Sequence, residues 1–85
     1  MTQDELREWA RRQPFVPFRV ILTTGAAYDI RHPDLIMVGR RSATLGVTTR
    51  PERTAYDTAL QVDLLHVVAI EEIPRPAPGP NGAGN

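Results

Sequence analysis

Three apolar residues near the start of the chain recur at helical spacing and are surrounded by charged residues: Leu6, Trp9 and Ala10. Thr2 followed three residues later by Glu5 is a capping-box pattern, in which the two side chains satisfy amide hydrogens that a helix start leaves unpaired. Pro14 and Pro17 stop a helix, because each lacks an amide hydrogen and disfavours helical geometry in the residue before it. The pattern predicts one N-terminal helix of about three turns.

From residue 18 onward the apolar period changes from helical to two, which is typical of half-buried strands. In "TTGAAYDI", Gly25 can take the positive φ of a tight turn, so this stretch predicts a hairpin. The run "LIMV" predicts a strand that is either buried on both faces or bent across a barrel corner. Further runs with strand character follow a polar "TTRPER" loop and a short "DLL" turn, and the runs together cover residues 18–23, 28–30, 35–38, 43–47, 56–62 and 66–73.

One short helix followed by about five short strands leaves few ways to bury apolar faces and protect strand edges. The economical solution is a mostly β fold with one N-terminal α-helix, built as a small bent five-stranded SH3/Sm-like barrel. We expect the helix to lie across one open end, with Leu6 and Trp9 plugging it. An open α+β sheet is the alternative. Residues 1–73 form the single predicted domain, and residues 74–85, rich in proline and glycine, form a predicted disordered tail.

Composition narrows the classes of function. The chain has 85 residues and no cysteine, which excludes disulfides, thiolate metal sites and cysteine catalysis. A domain of this size buries only about 60% of the surface of its unfolded chain, so a partner subunit is attractive on physical grounds. The charged N-terminus and the lack of a long apolar run predict a cytoplasmic protein without membrane contact. Ten arginines, with no lysine, balance ten acidic residues, so net positive charge for nucleic acid is missing.

The two histidines and two nearby aspartates have suitable chemistry for a divalent metal site or an acid-base pair: His32, Asp34, Asp63 and His66. Local roles compete with this interpretation. Pro33 places Asp34 in a turn whose amides its carboxylate could accept, and Asp63 could cap Leu64 and Leu65 in the same way. There is no phosphate loop, no nucleophile elbow and only one serine. We therefore predict no enzymatic activity, no cofactor and no metal.

Four arginines in or beside predicted loops form the best candidate anion or nucleic-acid contact: Arg31, Arg40, Arg41 and Arg50. The competing interpretation is a solvated surface on which they pair with nearby acids: Asp29, Glu52 or Asp57. We favour the second, because stacking on bases needs exposed aromatic rings. The aromatic residues of the strand region sit at apolar positions and are predicted to be core: Phe15, Phe18, Tyr28 and Tyr56.

The segments "LREWARRQPFVPFRVILTTGAAYDIRHPDLIMVGRR" and "VDLLHVVAIEEI" resemble a family of short uncharacterised bacterial proteins with a QPFxPFR … RHPD … VDLLH pattern. The resemblance covers roughly residues 4 to 73 and implies a shared fold without a known activity. The layout is also similar, more weakly, to Sm-like proteins, in which a helix precedes five bent strands. Asp63, Leu64 and Leu65 stand where Sm proteins carry an arginine-glycine pair, and the asparagine-bearing loop is absent, so the resemblance implies architecture and not RNA binding.

Together these observations predict a small non-enzymatic binding or assembly module. Self-association at an exposed strand edge is the expected mode, giving a homo-oligomer or a complex with a protein partner. The first alternative is an Sm-like oligonucleotide-binding subunit that uses the four arginines. The second, from a different class, is a metal-dependent hydrolase built on the histidine and aspartate set. The proline-rich tail as a ligand for an aromatic groove is a further, less favoured, possibility.

Overall fold

The structure, a computed structural model, describes residues 1–48, 50 and 56–74. It contains one α-helix, two 3-10 turns (η1 and η2) and six strands among these residues, in the order α1 Gln3–Ala10, β1 Phe18–Leu22, β2 Ala27–Ile30, η1 Pro33–Leu35, β3 Ile36–Val38, β4 Ser42–Val47, β5 Thr58–Asp63, η2 Leu64–His66 and β6 Val67–Glu72. The prediction of a mostly β chain with one N-terminal helix is confirmed. Of the "TTRPER" loop only Thr48 and Arg50 are described, and of the predicted tail, residues 74–85, only Pro74 is described.

The helix starts where the capping box predicts. The Glu5 amide donates to Thr2 Oγ1 at 3.2 Å, and the Thr2 amide donates to Glu5 Oε1 at 3.0 Å. These hydrogen bonds from Thr2 hold the pKa of the Glu5 carboxyl below its ordinary value of 4.5. The helix has eight residues, or about two turns, so the predicted three turns were too many. The helix ends at Ala10, and its C-cap, Arg11, lies three residues before Pro14.

The first sheet has the strand order β2-β1-β6 and is antiparallel throughout. A three-residue loop joins β1 to β2: the Leu22 amide donates to the Ala26 carbonyl at 2.9 Å, and Gly25 takes φ of 90° inside the loop. The hairpin predicted at Gly25 is therefore confirmed. Phe18 and Val20 point from β1 into the core, as the alternating pattern predicts.

The second sheet has the order β3-β4-β5. Ala43 and Leu45 of β4 face the core, as predicted, whereas the "LIMV" run is not buried on both faces. Leu35 lies in η1, and Met37 of β3 is 74% exposed. Periodicity alone cannot reveal that the first residue of this run belongs to a turn.

The five-stranded closed barrel is not confirmed, because the described residues form six strands in two three-stranded sheets. Six runs along the sequence have strand character, and η1 separates the runs at 28–30 and 35–38 into β2 and β3, as the turn predicted at Pro33 requires. Pro33 occupies the first position of η1, and a proline has no amide hydrogen to continue a ladder.

Both sheets and the helix contribute to one core. Its fully enclosed side chains come from α1, β1, β2 and β4: Leu6, Phe18, Val20, Ile30 and Leu45. Leu6 therefore fills the core as predicted, while Trp9 is only partly buried and packs its ring 5.7 Å from that of Phe18. The core prediction was wrong for Tyr56, which is 54% exposed and lies over Gly46 of β4.

Candidate interaction surfaces

A row of alternating charges crosses the outer face of the first sheet. Arg19 of β1 stands opposite Asp29 of β2 and Glu71 of β6 in the strand register. Its Nε donates to Asp29 Oδ1 at 2.7 Å, its Nη1 approaches Glu71 Oε1 at 3.4 Å, and Arg31 Nη2 reaches Asp29 Oδ2 at 3.3 Å. The hydrogen bond to Asp29 raises the pKa of Arg19 further. Each arginine of this row is thus neutralised by a carboxylate.

Arg40 and Arg41 form the tip of the β3–β4 hairpin. The Gly39 amide donates to the Ser42 carbonyl at 2.8 Å, which leaves these two residues as the whole loop. Both are exposed, and neither has an acidic group of the described residues within ion-pair distance. A short turn therefore presents two adjacent guanidinium groups that form no ion pair with a described carboxylate, although Asp63 lines the same concavity.

A main-chain hydrogen bond joins the β5–β6 connection to the β3–β4 turn. The Leu64 amide donates to the Arg41 carbonyl at 2.8 Å, and Leu64 itself is buried. The Leu65 amide donates to Asp63 Oδ1 at 2.9 Å, so the predicted capping by Asp63 is confirmed for Leu65 but not for Leu64. With its neighbour anchored in the core, Leu65 projects outward and is 81% exposed. The connection thus holds an aliphatic side chain in a defined position in solvent.

A concavity of about 380 Å³ lies between these two turns and the start of the helix. Its lining comes from three chain segments: Met1, Thr2, Gln3, Arg40, Arg41, Asp63, Leu64 and Leu65. None of these residues is aromatic, so a base that entered it would find no ring to stack on. We call the Arg40 and Arg41 tip, Leu65 and this concavity the arginine-leucine surface.

The four candidate arginines are not brought together. Arg41 immediately precedes β4, and Arg50 follows its far end, so about 20 Å of strand separates them. Arg31 pairs with Asp29 in the first sheet, as the favoured surface-pairing interpretation predicts. The backbone of Arg50 closes a small turn with Thr48, whose hydroxyl accepts from the Arg50 amide at 3.0 Å. The pairing suggested with Glu52 lies outside the described residues. Only Arg40 and Arg41 form a local cluster.

The histidine and aspartate set is also dispersed. The ring of His66 contacts the Thr23 hydroxyl at 3.3 Å through Nδ1, and the Asp63 carboxylate caps η2. His32 precedes η1 without a side-chain capping bond, and Asp34 is exposed without the predicted backbone contact. Within the described ranges no three residues of the histidine, cysteine, aspartate and glutamate types come close enough to hold a metal. The hydrolase alternative therefore lacks an assembled ligand set.

Each sheet has two edge strands, β2 and β6 in the first and β3 and β5 in the second, of which β5 and β6 are the longer. β5 pairs with β4 on one side, and no described strand pairs with its other side. The Leu64 amide donates to the carbonyl of Arg41, the residue before β4. Successive residues of an antiparallel strand direct their main-chain groups alternately toward and away from the partner strand, so those of Ala59 and Gln61 point outward. β6 pairs with β1 on one side, and no described strand pairs with its other side. Val68 has no partner in the β1–β6 register, which marks a bulge, and it is 58% exposed. The β5 edge is the straighter of the two.

A groove of about 550 Å³ runs between the helix and β3. It is lined by residues of both polar and apolar type: Arg7, Ala10, Arg11, Gln13, Pro33, Ile36, Met37 and Val38. No helix in the described part of the chain is long and apolar enough to cross a membrane. Comparison with protein-family models, curated proteins and solved structures gives no match.

Sequence reasoning found the arginine pair but missed Leu65 and the β5 edge. The "DLL" segment contained a signal for Leu65: an aspartate that caps a one-turn segment directs two consecutive leucines to different sides, and only one can enter the core. The edge strand had no comparable signal. The order of strands in a sheet depends on long-range pairing, which alternation within one strand does not encode.

Proposed function

We propose that this chain is a non-enzymatic assembly module that associates with copies of itself through the outer edge of β5. The open β5 edge carries this proposal. An unpaired edge is a template for another strand, and proteins that remain monomeric usually blunt such edges with proline, charge or a bulge. Within Thr58–Asp63 there is no proline, and the only charged residue is Asp63 at the end. The β4–β5 register also runs without a shift.

The small size of the domain supports the same conclusion. The described residues bury ten apolar side chains well enough to exclude solvent, which is a small core. Association that buries further apolar surface adds stability that such a core lacks. In this proposal the two sheets act together as a small SH3/Sm-like barrel, supported by their common core and by the proximity of β2 to β4. The protein acts in the cytoplasm.

The test is the solution mass of the purified protein by light scattering, at several concentrations, with absorbance at 260 nm on the same peak. We expect a defined oligomer free of nucleic acid. Ala59→Pro removes an outward amide hydrogen, which an edge strand tolerates, and should shift the protein to monomer. Ala59→Lys should act in the same direction through charge.

Met37→Lys is the matched control, because it places the same charge on an exposed residue of β3. It should leave the mass unchanged. A wild-type protein that stays monomeric at all concentrations would contradict the proposal. So would an oligomer that persists, folded and at full mass, in both Ala59 variants.

A second candidate function is an Sm-like oligonucleotide-binding subunit. The observation in its favour is the exposed pair Arg40 and Arg41, which no described carboxylate neutralises. Against it stands the absence of aromatic residues around the concavity beside them. Binding to a mixed oligonucleotide pool that weakens steeply with salt, and that is lost on replacing both arginines by alanine, would establish it.

A further inference from the structure

We propose that the arginine-leucine surface is a docking site for an acidic segment of another protein, a segment that carries an aliphatic side chain next to its carboxylates. This inference goes beyond self-association and concerns a different face of the molecule. It rests on three features of the described residues: unneutralised charge, a fixed aliphatic side chain and a concavity between them.

Charge complementarity specifies the partner's sign. On the first sheet Arg19 and Arg31 share the Asp29 carboxylate, and Arg12 approaches Glu72 at 3.6 Å. At the β3–β4 tip the two guanidinium groups have no such neighbour within the described chain. Guanidinium groups bind carboxylates through two parallel hydrogen bonds, so the carboxylates of an acidic ligand would accept hydrogen bonds from these two arginines.

Leu65 accounts for the second feature of the proposed ligand, its aliphatic side chain. A single exposed leucine is ordinary on a protein surface. This one is distinguished by its support, because Asp63 caps its amide and Leu64 anchors the same turn in the core. The backbone that carries it is therefore fixed before any ligand arrives, which lowers the entropy cost of binding. The adjoining concavity of about 380 Å³ has room for an aliphatic side chain of the partner.

A second copy of this chain does not fit the same surface by symmetry. In a two-fold contact each patch meets itself, and Arg40 and Arg41 would face their own copies. Two of the acidic side chains at the end of β6, Glu71 and Glu72, already approach Arg19 and Arg12. The favoured occupant is thus a different chain. Nucleic acid shares the negative charge, but no aromatic ring lines the concavity to stack on its bases.

The experiment is fluorescence anisotropy with the full chain and three labelled probes: a short peptide of alternating glutamate and leucine, the same peptide with glutamine for glutamate, and a short oligothymidine. We expect the glutamate peptide to bind, the glutamine peptide to bind at least about tenfold more weakly, and added salt to weaken the first. The oligothymidine should not bind.

Variants locate the site. Replacing Arg40 and Arg41 together by alanine should weaken the glutamate peptide about tenfold or more, and Leu65→Ser should do the same without removing a charge. The matched controls are Arg11→Ala and Met37→Ser, which remove an exposed arginine and an exposed apolar side chain that line the groove between helix and β3. They should leave binding unchanged. Thermal unfolding of every variant confirms that a loss of binding is not a loss of fold.

Three results would overturn the inference. The first is no binding of the glutamate peptide. The second is a larger loss of binding in the control variants than in the arginine and leucine variants, which would place binding in the other groove. Preferential binding of oligothymidine, lost in the double arginine variant, would instead support the nucleic-acid candidate. None of these results depends on the solution mass that tests self-association through β5.

Discussion

The two hairpins of this small fold are similar in length and opposite in role. The β1–β2 hairpin delivers Phe18 and Ile30 to the core and neutralises both of its outer arginines with Asp29. The β3–β4 hairpin delivers less apolar area through β3, where Met37 is 74% exposed, and ends in two arginines without a described acidic partner. The first hairpin satisfies its own surface, whereas the second presents unsatisfied groups to solvent.

The strand register explains the difference. Arg19 and Asp29 are directly opposite in the β1–β2 ladder, so their pairing follows from the fold of the hairpin itself. Arg40 and Arg41 lie in the turn, where no residue stands across from them. A charged residue within a ladder has a residue of the next strand directly opposite it. A charged residue in a turn has none, so any ion-pair partner must come from a distant segment of the chain.

The largest expected difference between the hairpins is in core stability. Phe18→Ala should lower the free energy of unfolding by about 3 to 5 kcal/mol, because it removes a fully buried ring on which Trp9 and Phe15 pack. Val38→Ala, in half-buried β3, should cost clearly less. Urea unfolding followed by tryptophan fluorescence gives both values, and equal costs would break the distinction.

A second test concerns Gly46, where the second sheet does carry a packing constraint. A methyl group added there would lie 2.8 to 2.9 Å from Tyr56, including its Cβ and Cγ atoms, which cannot swing away freely. Gly46→Ala should therefore cost about 1 to 3 kcal/mol. Adding Tyr56→Ala should recover part of the loss, as measured by thermal unfolding of the single and double variants. Additive losses would show that the contact is unimportant.

The turns provide a smaller contrast. Gly25 has φ of 90°, and a residue with a side chain pays about 1 to 2 kcal/mol in the left-handed region. Gly25→Ala should therefore lower stability by about that amount. No residue other than glycine has positive φ in the described chain, so Arg40→Ala should be nearly neutral. Melting temperatures of the two variants, measured side by side, check this expectation, and a destabilising Arg40→Ala would reveal a structural role for that side chain.

The sequence allowed accurate prediction where the determining interactions are local. Thr2 and Glu5 set the start of the helix, and Gly25 set the hairpin, because both depend on residues within one turn. The burial of Phe18 and Leu45 followed from alternation along single strands. The exposure of Tyr56 depends on how distant segments meet. The apolar pattern within one segment does not show which distant segment will pack against it.

The same limit applies to the candidate surfaces. Arg40 and Arg41 were identified from residue type, but Arg31 and Arg50 were grouped with them although the fold places them elsewhere. Pairing of Arg31 with Asp29 requires only neighbouring positions on one strand and was predictable. The meeting of the β3–β4 tip with Leu65 requires the Leu64 amide to reach the Arg41 carbonyl across 23 positions of sequence, which the sequence pattern did not indicate.

The smallest expected effect tests the charge contrast directly. Asp29→Asn removes the carboxylate that Arg19 and Arg31 share, so it should lower the melting temperature slightly at low salt. Salt screens exposed pairs, and the difference from wild type should shrink as salt is added. Replacing Arg40 and Arg41 by alanine should change the melting temperature little at any salt, because no described carboxylate loses a partner. If instead the double arginine variant were destabilised at low salt and Asp29→Asn were neutral, the arginines of the turn would be the ones that the fold uses, and their availability to an acidic ligand would have to be reconsidered.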